Sequence, residues 1–189
     1  MRIGIVNMHK NQHFIHRIIE AVTRLGHTHL VINGLTTSSD KLVHRIKTSP
    51  IRHWIFSGSQ FHVINPENPQ VPLELLDLDK KLMLICYSME SVLMQLGFPV
   101  KERYIHRREP FNLYPTEQNP LFEGIQVPMK VWRDHTWYTP ASTIRSPVHL
   151  VASYNGEAMI ATYKNATLVQ HHPEHTADGR KFLENWLKE

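Results

Sequence analysis

Through the first half of the chain, short apolar runs alternate with segments whose apolar residues recur at helical spacing, and this alternation constrains the fold more than any other feature. Ile3 to Asn7, His29 to Asn33 and His53 to Phe56 have the length and the β-branched and aromatic content of buried strands. Between the first two, Phe14, Ile15, Ile18, Ile19, Val22 and Leu25 recur at steps that suit one helix face, and Gly26 stands where a helix C-cap is expected. Between the second and third, Leu42, Val43 and Ile46 repeat the pattern, with Ser38, Ser39 or Asp40 available as N-cap and Pro50 beyond the end. Strand, helix, strand in succession requires crossover connections and so parallel pairing. The predicted architecture is α/β, a central mostly parallel sheet flanked by helices on both faces.

The next apolar run, Lys81 to Cys86, leads into Ser88 to Leu96, where Met89, Val92, Leu93 and Leu96 form a helical stripe closed by Gly97. Cys86 is thereby placed where a strand turns into a helix. Prolines and charges dominate Pro99 to Pro128, for which irregular structure with short strands is expected, and the basic cluster Lys101 to Arg108 is expected to be a solvated loop. Met129 to Trp132, Val148 to Tyr154, Ala158 to Tyr163 and Ala166 to Gln170 are expected strands, the middle pair joined as a hairpin through Asn155-Gly156. A last helix should begin near Thr176 or Asp178 and bury Phe182, Leu183, Trp186 and Leu187. With no repeat or linker in 189 residues, a single domain spanning residues 1–189 is expected.

Composition narrows the function classes. Hydrophobic residues at 41% and charged residues at 20% give a globular balance and exclude a disordered chain. No apolar stretch approaches the roughly 18 residues of a membrane-spanning helix, and the N-terminus runs straight into a strand-like segment, so a soluble, cytoplasmic protein without a membrane partner is expected. The net charge of +4 comes from scattered residues, which does not suit nucleic-acid binding. One cysteine forbids an internal disulfide and a cysteine-rich zinc site.

That cysteine, Cys86, is either buried filler or a nucleophile. At the first turn of a helix a thiol meets the positive end of the macrodipole and unpaired backbone N–H groups, which favour thiolate and can hold an oxyanion. The local pattern alone leaves both possibilities open. The segment Val169-Gln170-His171-His172-Pro173-Glu174-His175 favours chemistry, because it follows a strand and so lies at the edge where open α/β sheets place their sites. His172 as base, oriented by Glu174, could complete a Cys-His-Glu triad. A metal site using the same histidines and glutamate is the weaker alternative, since Pro173 and the spacing do not match a helical zinc motif. A polar loop with satisfied histidines is the third.

Cys86-Tyr87-Ser88-Met89-Glu90 resembles C-Y-G-M-Q, and Gln170-His171-His172-Pro173-Glu174 resembles Q-F-H-P-E, the two motifs of class I glutamine amidotransferases. Within that family the glutaminase subunits of GMP synthases are most similar. Phe56-Ser57-Gly58-Ser59 resembles their L-S-G-G, Asn119 to Ile125 their S-P-L-F-x-G-I, and Val131-Trp132-Arg133-Asp134-His135 their V-W-M-S-H. The resemblance implies a flavodoxin-like amidotransferase fold in which Cys86 attacks the amide of glutamine, His172 is the base and Glu174 orients it. It further implies oxyanion donors at the backbone of Ser59 and Tyr87, substrate contacts at Gly58, Glu90, Asp134 and His135, no metal or organic cofactor, and ammonia passed to a synthetase partner. Glycine is usual in the family where Leu84, Ser88 and Ser59 stand, and glutamine where Glu90 stands. The Cβ-bearing replacements are expected to narrow the pocket or tilt the elbow, Leu84 being the most damaging, and Glu90 to repel a substrate carboxylate or attract an α-ammonium, which keeps open a hydrolase of another γ-glutamyl substrate or a non-catalytic binding relative.

Overall fold

The first three apolar runs become β1 (Arg2–Asn7), β2 (Thr28–Asn33) and β3 (His53–Phe56), followed by β4 (Lys81–Ile85). The computed structural model describes residues 1–189. β1 pairs in parallel with both β2 and β3, β3 with β4, and β4 with the late strand β9 (Ala166–Val169). β7 (His149–Tyr154) and β8 (Glu157–Tyr163) extend this edge in antiparallel fashion, giving a seven-stranded sheet of order β2-β1-β3-β4-β9-β8-β7. The turn between β7 and β8 is made by Asn155 and Gly156, both at positive φ, as a two-residue hairpin requires.

Helices cover both faces because strand residues bury alternately to either side. Against one face lie α1 (His16–Arg24) and α4 (Ala177–Lys188), whose Ile18, Val22, Phe182 and Trp186 join Ile3, Ile5, Met83 and Ile85 in one apolar core. Against the other lie α2 (Ser39–Thr48) and α3 (Tyr87–Gln95), whose Leu42, Ile46, Val92 and Leu93 meet Trp54, Phe56, Leu82 and Leu84. Gly4 is where β1 tolerates this packing, since a Cβ there would lie 2.1 Å from the Trp54 ring. No helix is long and apolar enough to cross a membrane.

Two expectations are corrected. Phe14 is not on the buried stripe of α1. It falls in a 3-10 turn (Gln12–Ile15) started by the Asn11 side chain, and the tighter winding turns it outward, 58% exposed and stacked on His9. The segment expected to be irregular contains β5 (Lys101–Leu113), which pairs antiparallel with β6 (Met129–Tyr138) as a separate two-stranded arm. The Lys101 to Arg108 cluster is therefore part of a strand and not a loop. Its residues are mostly exposed, with only Phe111 and Leu113 buried along the whole strand, and the register shifts between Glu102 and Arg107, so no apolar alternation betrays the strand.

Candidate active site

β4 ends against β9, and the backbone leaves the sheet at Cys86 with φ 50° and ψ −108°, a conformation that costs an L-residue strain and that a sharp strand-to-helix elbow imposes. Two hydrogen bonds hold the turn: Cys86 N–H donates to the Val169 carbonyl at 2.7 Å, and the Ser88 hydroxyl donates to the Ser57 carbonyl at 2.7 Å. As the first residue of α3, Tyr87 has a backbone N–H with no intrahelical acceptor, and the residue lines a cleft that Cys86 also lines.

β9 delivers the other half. After Val169 the chain continues through buried Gln170 and His171, and His172 N–H donates to the Trp132 carbonyl of β6 at 2.8 Å. Pro173 and Glu174 lie in a short 3-10 turn that brings the carboxylate back, so that His172 Nδ1 and Glu174 Oε1 are 3.0 Å apart. His172 Nε2 is buried and has no hydrogen-bond partner. Burial disfavours charge on this ring, yet the charge and hydrogen bond of Glu174, together with the nearby Cys86 sulfur, raise its pKa well above the ordinary value. Burial would push Glu174 up, but the His172 charge and hydrogen bond hold it below the usual carboxylate range.

The loop after β3 passes close to both. A Cβ on Gly58 would come within 3.2 Å of His172 Cε1 and 3.4 Å of Cys86 Cβ, so a side chain there would press on the pair. The Ser59 hydroxyl donates to the Met8 carbonyl at 2.7 Å, which ties the loop to the end of β1. The sulfur itself accepts a long hydrogen bond from Gln170 Nε2 at 3.6 Å and lies 3.8 Å from the Asp134 carbonyl oxygen.

These groups line a cleft of about 610 Å³ that also includes Ser59, Glu90 and His135. Glu90 is 1% exposed. Burial pushes its carboxyl up to about 7 against the hydrogen bond from the Thr139 hydroxyl, which reaches Oε2 at 2.8 Å and leaves Oε1 without a partner. His135 is also buried, driven down to about 3 by desolvation and by the Arg103 charge. As a neutral ring its Nε2–H donates to Glu157 at 3.1 Å, and Arg103 pairs with the same carboxylate. Asp134 points its side chain to the rim, 2.7 Å from His106 Nε2 and 3.2 Å from Arg108 Nε. His172, Glu174 and His175 have potential ligand atoms within 4.8 Å of one another, but a cation there would compete for the carboxylate that orients His172.

The family profile described as "Glutamine amidotransferase class-I" matches residues 8–189. The chain belongs to the class I glutamine amidotransferase family. It is 31% identical over 150 residues to the glutamine-hydrolyzing GMP synthase of Clostridium tetani, covering 77% of this chain and 29% of that protein. The Thermus thermophilus enzyme of the same name is 30% identical over 170 residues, covering 84% of this chain and 31% of that protein. The chain thus spans less than a third of the length of these relatives. Among solved structures, a Thermoplasma acidophilum protein described as a GMP synthase subunit superposes with a TM-score of 0.76 at 17% identity, over 100% of this chain and 92% of that one. A Thermotoga maritima glutamine amidotransferase does so with 0.70 at 12%, over 100% and 81%. At such identities these two likenesses speak to the amidotransferase fold alone.

The expected site residues of this family member line one cleft, with Asp134 at its rim, except Gly58, which lies behind Cys86 and His172. Of the two effects expected of Leu84, narrowing of the pocket is not met, because the residue does not line the cleft. Its side chain is fully buried in the core beneath α3 and is absent from the cleft lining, and the Ser88 hydroxyl is turned towards Ser57. Sequence reasoning did not single out Thr139 and Glu157, the partners of Glu90 and His135, nor the contact of Gln170 with the sulfur. Only Gln170 carried a signal, its place two residues before the histidine.

Proposed function

We propose that this amidotransferase hydrolyses a γ-glutamyl amide, glutamine in the first instance, through Cys86, His172 and Glu174. The observation that carries the proposal is His172: one ring nitrogen is 3.0 Å from a buried carboxylate, and the other has no partner and faces the cysteine. His172 takes the thiol proton, Cys86 sulfur attacks the amide carbon, and the oxyanion is held by the backbone N–H groups of Tyr87 and Ser59. His172 then protonates the departing nitrogen, and water hydrolyses the thioester to glutamate. No metal or organic cofactor takes part in these steps. The amino-acid end of the substrate lies towards Gly58, Glu90, Asp134 and His135. A Glu90 carboxyl pushed up to about 7 is protonated in a large fraction of molecules at neutral pH, and its Oε1–H then donates much as the amide of glutamine would. Ammonia released from glutamine passes to a synthetase partner, as the names of the GMP synthase relatives suggest.

The test is labelling of Cys86 by a diazo-ketone glutamine analogue, followed by mass spectrometry, beside an assay of glutamate release with and without a GMP synthetase partner. Protection of Cys86 by glutamine and loss of turnover in Cys86→Ala are expected. An unlabelled Cys86 with no glutamate formed in either condition would favour a binding or regulatory protein instead.

A further inference from the structure

The cleft does not stop at the triad. Arg17, Arg108 and His175 line both the main cleft and an adjoining hollow of about 410 Å³, completed by Trp132. His175 stacks on Trp132 with ring centroids 5.5 Å apart and planes 16° from parallel, and it meets the His172 ring edge-on at 5.6 Å. Of the four residues around the hollow, two are arginines and none is a carboxylate. Arg108 has one ion pair, with Asp134 at 3.2 Å, and Asp134 is shared with His106, so the pair of arginines retains excess positive charge. Arg17 is near enough to His175 to help lower that ring's pKa, which burial drives down to about 4.

Chemistry orients a substrate relative to this hollow. The nitrogen that leaves must lie within reach of the proton on His172 Nε2. Whatever is attached to that nitrogen therefore extends past His172, on the side of His175, Trp132 and the arginines, while the glutamyl end extends towards Glu90 and His135. Ammonia, the leaving group of glutamine, makes no use of such a hollow, and the cleft of about 610 Å³ is in the range that holds ligands well beyond one small amino acid. Building on the amide hydrolysis proposed above, we propose that the substrate class is γ-glutamyl amides whose leaving amine carries a carboxylate, an amino acid or short acidic peptide, with Arg17 and Arg108 binding that carboxylate.

The reaction balances with water alone. A bond forms between the Cys86 sulfur and the carbonyl carbon of the γ-amide as the C–N bond breaks, and the nitrogen takes the proton that His172 received from the thiol. One water then cleaves the thioester, giving glutamate and a free amino acid and returning the proton to Cys86.

The experiment compares γ-glutamylglycine with γ-glutamylglycinamide, which differ only in the charge at the far end, using the full chain at low salt. The acidic compound is expected to have a kcat/KM at least about tenfold higher, and the preference should shrink as salt is raised because both arginines are at the surface. In Arg17→Gln combined with Arg108→Gln the ratio should fall towards one. Equal rates for the two compounds, a preference indifferent to salt, or a ratio retained in the double variant would overturn the assignment. If glutamine and γ-glutamylglycinamide are both cleaved and the acidic compound has no advantage, this inference alone fails. If no γ-glutamyl compound is cleaved and Cys86 resists the diazo-ketone, the hydrolytic function fails with it.

Discussion

Two neighbouring strand ends meet at the site, and they hold their side chains by different means. The passage from β4 through Cys86 into α3 is held by packing: Leu82 to Val92 is buried throughout, and backbone strain at one residue sets the direction of the thiol. The passage from β9 through His172 to Glu174 has ordinary extended backbone at His172, φ −99° and ψ 95°, and is held by polar contacts. Ile85 and Val169 are register partners, so the two exits start side by side. Cys86 is therefore positioned by shape and His172 by charge, and the two should respond differently to lost volume and to pH.

The largest effect is expected on the packed side. Leu84 is fully buried under α3, and Leu84→Ala should lower the unfolding free energy by about 3 kcal/mol through lost transfer energy and a residual cavity. The loss should be the same across neutral pH, and kcat of the folded fraction should be retained, because the side chain does not line the cleft. Denaturant unfolding paired with active-site titration measures both. A fall in kcat with stability preserved would return Leu84 to the pocket wall.

The misplacement of Leu84 shows where sequence reasoning reaches its limit. Alternation along a strand puts residues two apart on the same face, which would bring Leu84 beside Cys86. The elbow breaks the alternation, since φ 50° turns Cys86 to the face that carries Met83 and Ile85. The parallel half of the sheet was legible because fully buried strands are apolar runs and their helices carry stripes. β5 was not, because its exposed residues show neither pattern. In the site, Cys86, His172 and Glu174 were legible through short motifs, and the His172–Glu174 pairing needs only two residues of chain. Thr139 on Glu90 and Glu157 on His135 are tertiary pairings, 49 and 22 residues apart, and no local spacing announces them.

Glu90 is the exception within the packed passage and should give the next largest effect. Its folded pKa of about 7 is above the unfolded value of 4.5, so between these the folded state binds more protons and stability falls as pH rises. Glu90→Gln keeps the acceptor for the Thr139 hydroxyl and removes the cost of a buried charge. The variant should gain about 3 kcal/mol at pH 8 and almost nothing at pH 4. Equal gains at both pH values would mean that the carboxylate does not carry the cost.

The polar passage has the opposite liability. His171 is fully buried against Phe182 with both ring nitrogens unpartnered, and burial drives its pKa down to about 3. The unfolded chain protonates this ring near 6.5 and the folded protein does not. Stability is therefore full above 6.5 and falls as pH drops towards 3, by about 1.4 kcal/mol per unit where only the unfolded state is protonated. His171→Phe replaces the two unsatisfied nitrogens with carbon in a pocket that already meets an aromatic ring, and should add about 1 kcal/mol at pH 7.5. The gain should widen on acidification while the His172–Glu174 pair stays intact, so that urea unfolding at several pH values isolates one proton's share of the acid sensitivity. A variant with the same gain at pH 5 as at pH 7.5 would assign that sensitivity to the other depressed histidines, His9, His27, His53, His135 and His175.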